Sequence, residues 1–468
     1  MKAMFRKLFN KPIISLVVVW VLVFLGVFLR SYKADTYPID NNDDGLFYVW
    51  AGNSFWDNPL EIISHSIFDV DNPALIWRSQ FMDFIPIERF GMKIVRPWFD
   101  HPPLGVALIA LPARLLVYRN LEQIPHLIVR LPALIASIFT LFLTYLLGRK
   151  LFNEKVGKLS LLFLATIPYF TVAHRQAFLE NLLTPLFLAS LIYLLNFLKT
   201  KSKKNLYILI VLSFLTGWFK ITGFAIPFLI AGWLMHKKQK KAGWYLAITG
   251  IVSSLSYIGY GFIANKQVFL ATILNQGGRG AFVSSFFDGL TKPEFYGQFN
   301  DGWYVLGFLL SFMLMIKNKS KFFNWFFAGW LIVLFLTAGR MANSPWYRYP
   351  LIPFLAIAIG YYVNKLIKKP SLFLVLAFFL LGLTGFDLID FEIPANLLRV
   401  VSVIFLTPFA LAFMFKNRFW KRVNFWLVRV FVILLVVLNI VVNLKFTVAR
   451  CMKKRCLPPQ KIILNVNE

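Results

Sequence analysis

Two adjacent carboxylates, Asp43 and Asp44, open the stretch Asp43-Asp44-Gly45-Leu46-Phe47-Tyr48-Val49-Trp50, soon after the first long apolar run. Either acid could cap the aromatic-rich helix that follows, where a carboxylate accepts from exposed amides and suits the positive end of the helix dipole. Either could instead serve as a general base toward a hydroxyl. Further on, Phe99-Asp100-His101-Pro102-Pro103-Leu104-Gly105 sets an acid and an imidazole before a double proline. The prolines fix the backbone leading into a helix, so Asp100 and His101 are helix-start residues or rigidly held site groups.

Cations recur in other turns. His174-Arg175-Gln176-Ala177-Phe178-Leu179-Glu180 carries Arg175 and Glu180, which could pair and anchor two helices or belong to a site. Charges near helix ends reach polar surroundings cheaply, so their presence alone decides little. Lys220 lies between Gly217 and Gly223, Arg279 follows Gln276-Gly277-Gly278, and Tyr347-Arg348 stands in Pro345-Trp346-Tyr347-Arg348-Tyr349-Pro350. Each could contact an oxyanion or be an ordinary interfacial residue. Together these groups suit a displacement at a sugar carbon. One carboxylate takes the acceptor proton and a cationic cradle receives the departing phosphate, which leaves without a general acid. His65, His101, His126, His174 and His236 lack ligand spacing, and a divalent ion held by Asp and His near the site is the one cofactor candidate.

The elements that must position these groups are membrane helices. Of 468 residues, 58% are hydrophobic, against ~45–50% in soluble domains. Apolar runs closed by charged clusters are each about long enough to cross ~30 Å of hydrocarbon. We read an all-α polytopic protein with thirteen spans near 12–29, 125–147, 159–173, 178–198, 205–219, 221–235, 243–262, 303–316, 322–338, 350–364, 371–386, 396–415 and 424–444. The first run lacks a small-x-small cleavage site before Arg30 and is read as a retained span. A cytoplasmic N-terminus puts the short basic loops inside, which accounts for the net charge of +29 without nucleic acid. Of the 21 Asp and Glu residues only Glu154 then falls inside.

Residues 30–124 form a first outer loop too long for a connector. Within it, Leu104 to Tyr118, interrupted by Pro112, reads as a helix lying at the interface. The transmembrane domain spans 1–444, and 445–468 is a short basic outer tail holding both cysteines, Cys451 and Cys456.

From residue 12 to about 365 the order of motifs resembles the GT-C membrane glycosyltransferases, in the branch of protein O-mannosyltransferases and lipid A aminoarabinose transferases. The resemblance rests on Asp43-Asp44 with Tyr48, Asp100-His101-Pro102-Pro103-Leu104, Arg130-Leu131-Pro132, Arg175 with Glu180, and Tyr349 with Pro353. It implies a polyprenyl-phosphate sugar donor, inversion at the anomeric carbon, Asp43 as base with Asp44 as fallback, and His101 near the donor phosphate. Lys220, Arg279, Tyr347 and Arg348 are looser matches to its phosphate contacts, with Tyr48, Asp100, Arg175 and Glu180 in support. Asp44 stands where relatives often have Glu, and the tail is too short for the outer domain of several of them, which leaves the acceptor open. A lipid or sugar transporter is the rival reading, since ionisable residues at membrane depth also mark substrate paths; the internal repeats usual in transporters are not seen. A noncatalytic lipid-binding assembly protein is a second rival.

Overall fold

Long apolar runs in lipid satisfy their backbone only as helices, and helices dominate. A computed structural model describes residues 11–38, 44–66, 93–118, 124–278, 283–291, 301–337, 344–389, 391–415 and 418–452. Helix α1 (Lys11–Ser31) leads to α2 (Asp44–Asp57), and a short antiparallel pair, β1 (Ser64–Ser66) and β2 (Lys93–Val95), sets His65 opposite Ile94. The strand pair was not expected from the sequence; three-residue strands carry no readable alternation.

Next come α3 (Pro103–Leu115), α4 (His126–Leu151), α5 (Glu154–Thr166), α6 (Pro168–Ala173), α7 (Leu179–Thr200) and α8 (Lys203–Phe219). A 3-10 turn over Ile221–Phe224 precedes α9 (Ala225–His236), α10 (Lys240–Gly277) and α11 (Val283–Thr291). Then follow α12 (Gly302–Ile316), α13 (Lys321–Thr337), a second 3-10 turn (Pro345–Leu351), α14 (Ile352–Lys368), α15 (Leu372–Gly382), α16 (Gly385–Leu388), α17 (Ala395–Phe415) and α18 (Arg418–Met452).

Seven helical stretches among the described residues are long and apolar enough to span a bilayer, with five shorter apolar helices beside them. The chain is an integral membrane protein, but helix lengths do not establish the count of thirteen spans. The expected span at 159–173 is divided between α5 and α6 at Ile167-Pro168, because proline cannot continue the α5 hydrogen-bond ladder. The expected span at 243–262 runs on to Gly277 as one 38-residue helix that breaks at Asn265, whose side chain caps Val268. Helix α18 carries on past residue 444 to Met452.

The core is a sandwich of helices in which α14 lies along α5, flanked by α4, α7 and α12. Large apolar side chains on α1, α10 and α17, such as Phe24, Leu255 and Ile404, are exposed on the outside. In water such faces would drive association; in a bilayer they meet acyl chains. Helix α3, 13 residues long and lying against α2, is too short to cross alone, and it provides a helix within the stretch 104–118 where one was expected.

Candidate active site

The Pro102-Pro103 pair begins α3 and holds His101 just outside it, with Pro102 extended at φ −59°, ψ 144°. Gly105 then lets α3 approach the end of α8: a Cβ there would stand 2.7 Å from the carbonyl oxygen of Phe219. Lys220 follows, extended at φ −156°, ψ 143°, in the break between α8 and the 3-10 turn. Gly223 folds that break tightly, since a Cβ on it would lie 2.0 Å from the Thr216 carbonyl oxygen. Small residues therefore place the Lys220 side chain against His101.

His101 Nε2 lies 3.1 Å from the Tyr48 hydroxyl and 3.4 Å from Lys220 Nζ. The ammonium only donates, so Nε2 presents its lone pair and the ring proton belongs on Nδ1. His101 is thus placed to orient both the Tyr48 hydroxyl and the Lys220 ammonium. Lys220 also pairs with Glu180 at 3.0 Å, with both side chains almost fully buried, and its ammonium lies 5.4 Å from the ring centre of Tyr347. Trp98 meets the His101 ring edge-on at 5.7 Å. Burial first, and the Asp44 carboxylate next, push the Tyr48 phenol well above its usual range, so it stays protonated. Asp44 opens α2 four residues before Tyr48, on the same helix face.

Asp100 is held beside this cluster. Its carboxylate accepts from the Ser66 hydroxyl (2.7 Å) and its carbonyl from Gln276 Nε2 (2.7 Å), while the Tyr257 hydroxyl donates to the Phe99 carbonyl (3.3 Å). Helix α10 thus fastens the loop that carries His101. Ser66, Trp98, Tyr257 and Gln276 were not singled out in the sequence. Gln276 alone had a local cue, its place beside the glycines before Arg279.

Asp44, Tyr48, Asp100, His101, Glu180, Lys220 and Tyr347 therefore share one neighbourhood. Asp43 and Arg279 lie outside the described residues. Two expected site groups have contacts of their own. Arg348, one residue past Tyr347 on the tight 3-10 turn, stacks 5.4 Å from the Tyr304 ring centre, near Tyr169. Arg175 does not pair with Glu180; its guanidinium donates to the Leu29 carbonyl at 2.5 Å, at the end of α1. Among the described residues no group of three metal-ligating side chains is found.

An apolar groove of 510 Å³ adjoins the cluster, lined in part by Leu108, Pro112, Ile135, Phe139, Leu182 and Phe219. One of its lining residues, Phe219, immediately precedes Lys220 in the chain.

Residues 100–258 match the family dolichyl-phosphate-mannose-protein mannosyltransferase, a segment that includes Asp100, His101, Arg130, Arg175, Glu180 and Lys220. No curated protein sequence matches the chain. In structure the chain resembles ArnT from Cupriavidus metallidurans bound to undecaprenyl phosphate, with a TM-score of 0.55 at 13% identity over 94% of this chain and 78% of that one. It aligns more loosely with the archaeal oligosaccharyltransferase AglB from Archaeoglobus fulgidus, with a TM-score of 0.49 at 14% identity over 90% of this chain and 56% of that one.

Proposed function

We propose that this chain is a GT-C membrane glycosyltransferase of the ArnT and protein O-mannosyltransferase type, and that it moves a sugar from a polyprenyl-phosphate donor to a hydroxyl or phosphate acceptor on protein, lipid or glycan. The observation that carries this reading is that the buried Lys220 cluster lies next in the chain to an apolar groove lined in part by Phe219. A prenyl chain is apolar along its length and anionic at one end, and the groove and the ammonium complement it in that order. That the related fold of ArnT holds undecaprenyl phosphate supports the same class of donor here.

In the proposed reaction Asp43, or Asp44, takes the proton from the acceptor hydroxyl. The oxygen attacks the anomeric carbon opposite the phosphate, and the carbon–oxygen bond to phosphate breaks with inversion. The electron pair departs with the prenyl phosphate, which gains one negative charge as it leaves. Lys220 lies where that charge develops, with His101 and Tyr48 fixing its direction, and stabilisation there is worth most in a water-poor site. Arg279 is a further candidate phosphate contact. Consumption of a polyprenyl-phosphate sugar by the purified protein tests the reading.

The reaction face is proposed to be extracytoplasmic, with the N-terminus in the cytoplasm, on the distribution of basic turns and acids. Single cysteines replacing exposed Asn58 and Lys203, with Cys451 and Cys456 removed, are expected to react with an impermeant maleimide from outside and inside the cell respectively. Equal labelling of both from outside contradicts that orientation.

A further inference from the structure

Three arginines, Arg30, Arg130 and Arg175, are completely buried where α1 ends. They donate to main-chain carbonyls, and Arg30 Nη2 also lies 3.1 Å from His174 Nδ1. Arg30 donates to Gly26 (3.1 Å) and Leu164 (2.8 Å), and Arg175 to Leu29 (2.5 Å). The Leu29 carbonyl lies in the last turn of α1, where carbonyls lack intrahelical donors and the dipole favours a cation, while the Leu164 carbonyl ties the end of α1 to α5. Arg130 differs, because both carbonyls it takes lie beyond α1. Its Nη1 donates to Ala34 (2.5 Å) and its Nη2 to Pro38. One planar fork, fixed on α4, therefore clasps two points of the turn that carries the chain from α1 toward Asp44. Six residue steps separate Pro38 from Asp44, at most about 22 Å of extended chain. Where that turn sits limits where the acids can reach.

We propose that Arg130 is a positioning residue for sugar transfer: by gripping the Ala34 and Pro38 carbonyls it sets the take-off of the chain into α2, so that Asp44 at the start of α2 is held on the face of Tyr48, beside the Lys220–His101 cluster. The proposal rests on the transferase reading above and adds a role for an arginine that touches neither donor nor acceptor. The fork is the reason for Arg at this place. A lysine ammonium on the same stem is a single point and cannot hold both carbonyls in one plane.

Arg130→Met and Arg130→Lys test it, with Arg30→Met as the comparison, since Arg30 secures α1 to α5 without touching the turn. Misplacement of a reacting group by about 1 Å can cost about 10²-fold. Arg130→Met is expected to lower kcat about 10- to 100-fold, with Arg130→Lys between it and wild type. Binding of polyprenyl phosphate should stay within about twofold. Arg30→Met is expected to lower Tm with kcat little changed. A second readout is independent of activity: spin labels on cysteines replacing exposed Asp35 and Arg149 report the turn against α4. Their distance distribution should broaden in Arg130→Met and in Arg130→Lys, but not in Arg30→Met. An unchanged distribution overturns the proposal whatever the activity, as does a kcat that falls only in step with donor binding and Tm. If the wild type consumes no lipid-linked sugar, the transferase reading fails, and the labels still report whether Arg130 holds the turn.

Discussion

Replacing Asp43 by Asn is expected to lower the turnover of a polyprenyl-phosphate sugar by about 10²- to 10⁴-fold, the range for losing a general base. Donor binding should hold near wild type, because the change removes charge and little volume. Asp44→Asn must be made in parallel. Asp44 is the first residue of α2 and shares a face with Tyr48, whose phenol feels its charge, so an Asn there tests the second carboxylate directly. The steeper loss identifies the base, and the other acid keeps the role of helix cap. Turnover within about tenfold of wild type in both variants rejects the pair as base, given the size expected for that role.

Lys220→Met is expected to have the second large effect, lowering kcat about 10²- to 10³-fold, as when one donor to a developing anion is removed. The variant also strands a carboxylate, since Glu180 is buried and pairs with this ammonium. Breaking such a pair from one side costs about 3–5 kcal/mol, so a poorly folded single variant decides nothing by itself. The double variant Lys220→Met with Glu180→Gln removes both charges and is expected to recover thermal stability without recovering turnover. A double variant that regains both assigns the pair to folding alone. A loss confined to KM assigns Lys220 to donor binding that is equal in ground and transition states.

Much of this arrangement was legible in the residues. The apolar runs fixed a membrane helix bundle, and the double proline after His101 marked a rigid helix start, which α3 provides. Lys220 between glycines indicated a tight turn, although nothing local showed that its partner would be Glu180, forty residues earlier. That pairing depends on α7 and α8 lying side by side, which hydropathy cannot order. Adjacent residues on a 3-10 turn likewise find different partners, Tyr347 the Lys220 ammonium and Arg348 the Tyr304 ring, which the sequence alone does not order. Arg175 was read beside Glu180 because they are close in sequence, whereas the end of α1 needed a donor at its carbonyls. Helix lengths do not establish the span count, because prolines and breaks fall inside apolar runs, at Pro168 and Asn265, where composition stays apolar while the backbone stops being one helix.

The central claim is that a lipid-linked sugar is consumed at the Lys220 cluster. It is tested most directly by incubating the purified protein in lipid nanodiscs with synthetic polyprenyl-phosphate sugars and following donor and free polyprenyl phosphate by mass spectrometry. The account predicts that wild-type protein releases polyprenyl phosphate and uses long prenyl chains, which fill the groove beside Phe219, better than short ones. The double variant Asp43→Asn with Asp44→Asn should release none above background. A folded wild-type protein that leaves a panel of such donors intact while moving them across a bilayer contradicts the account and favours a transporter. Equal release by wild type and the double variant contradicts the proposed chemistry.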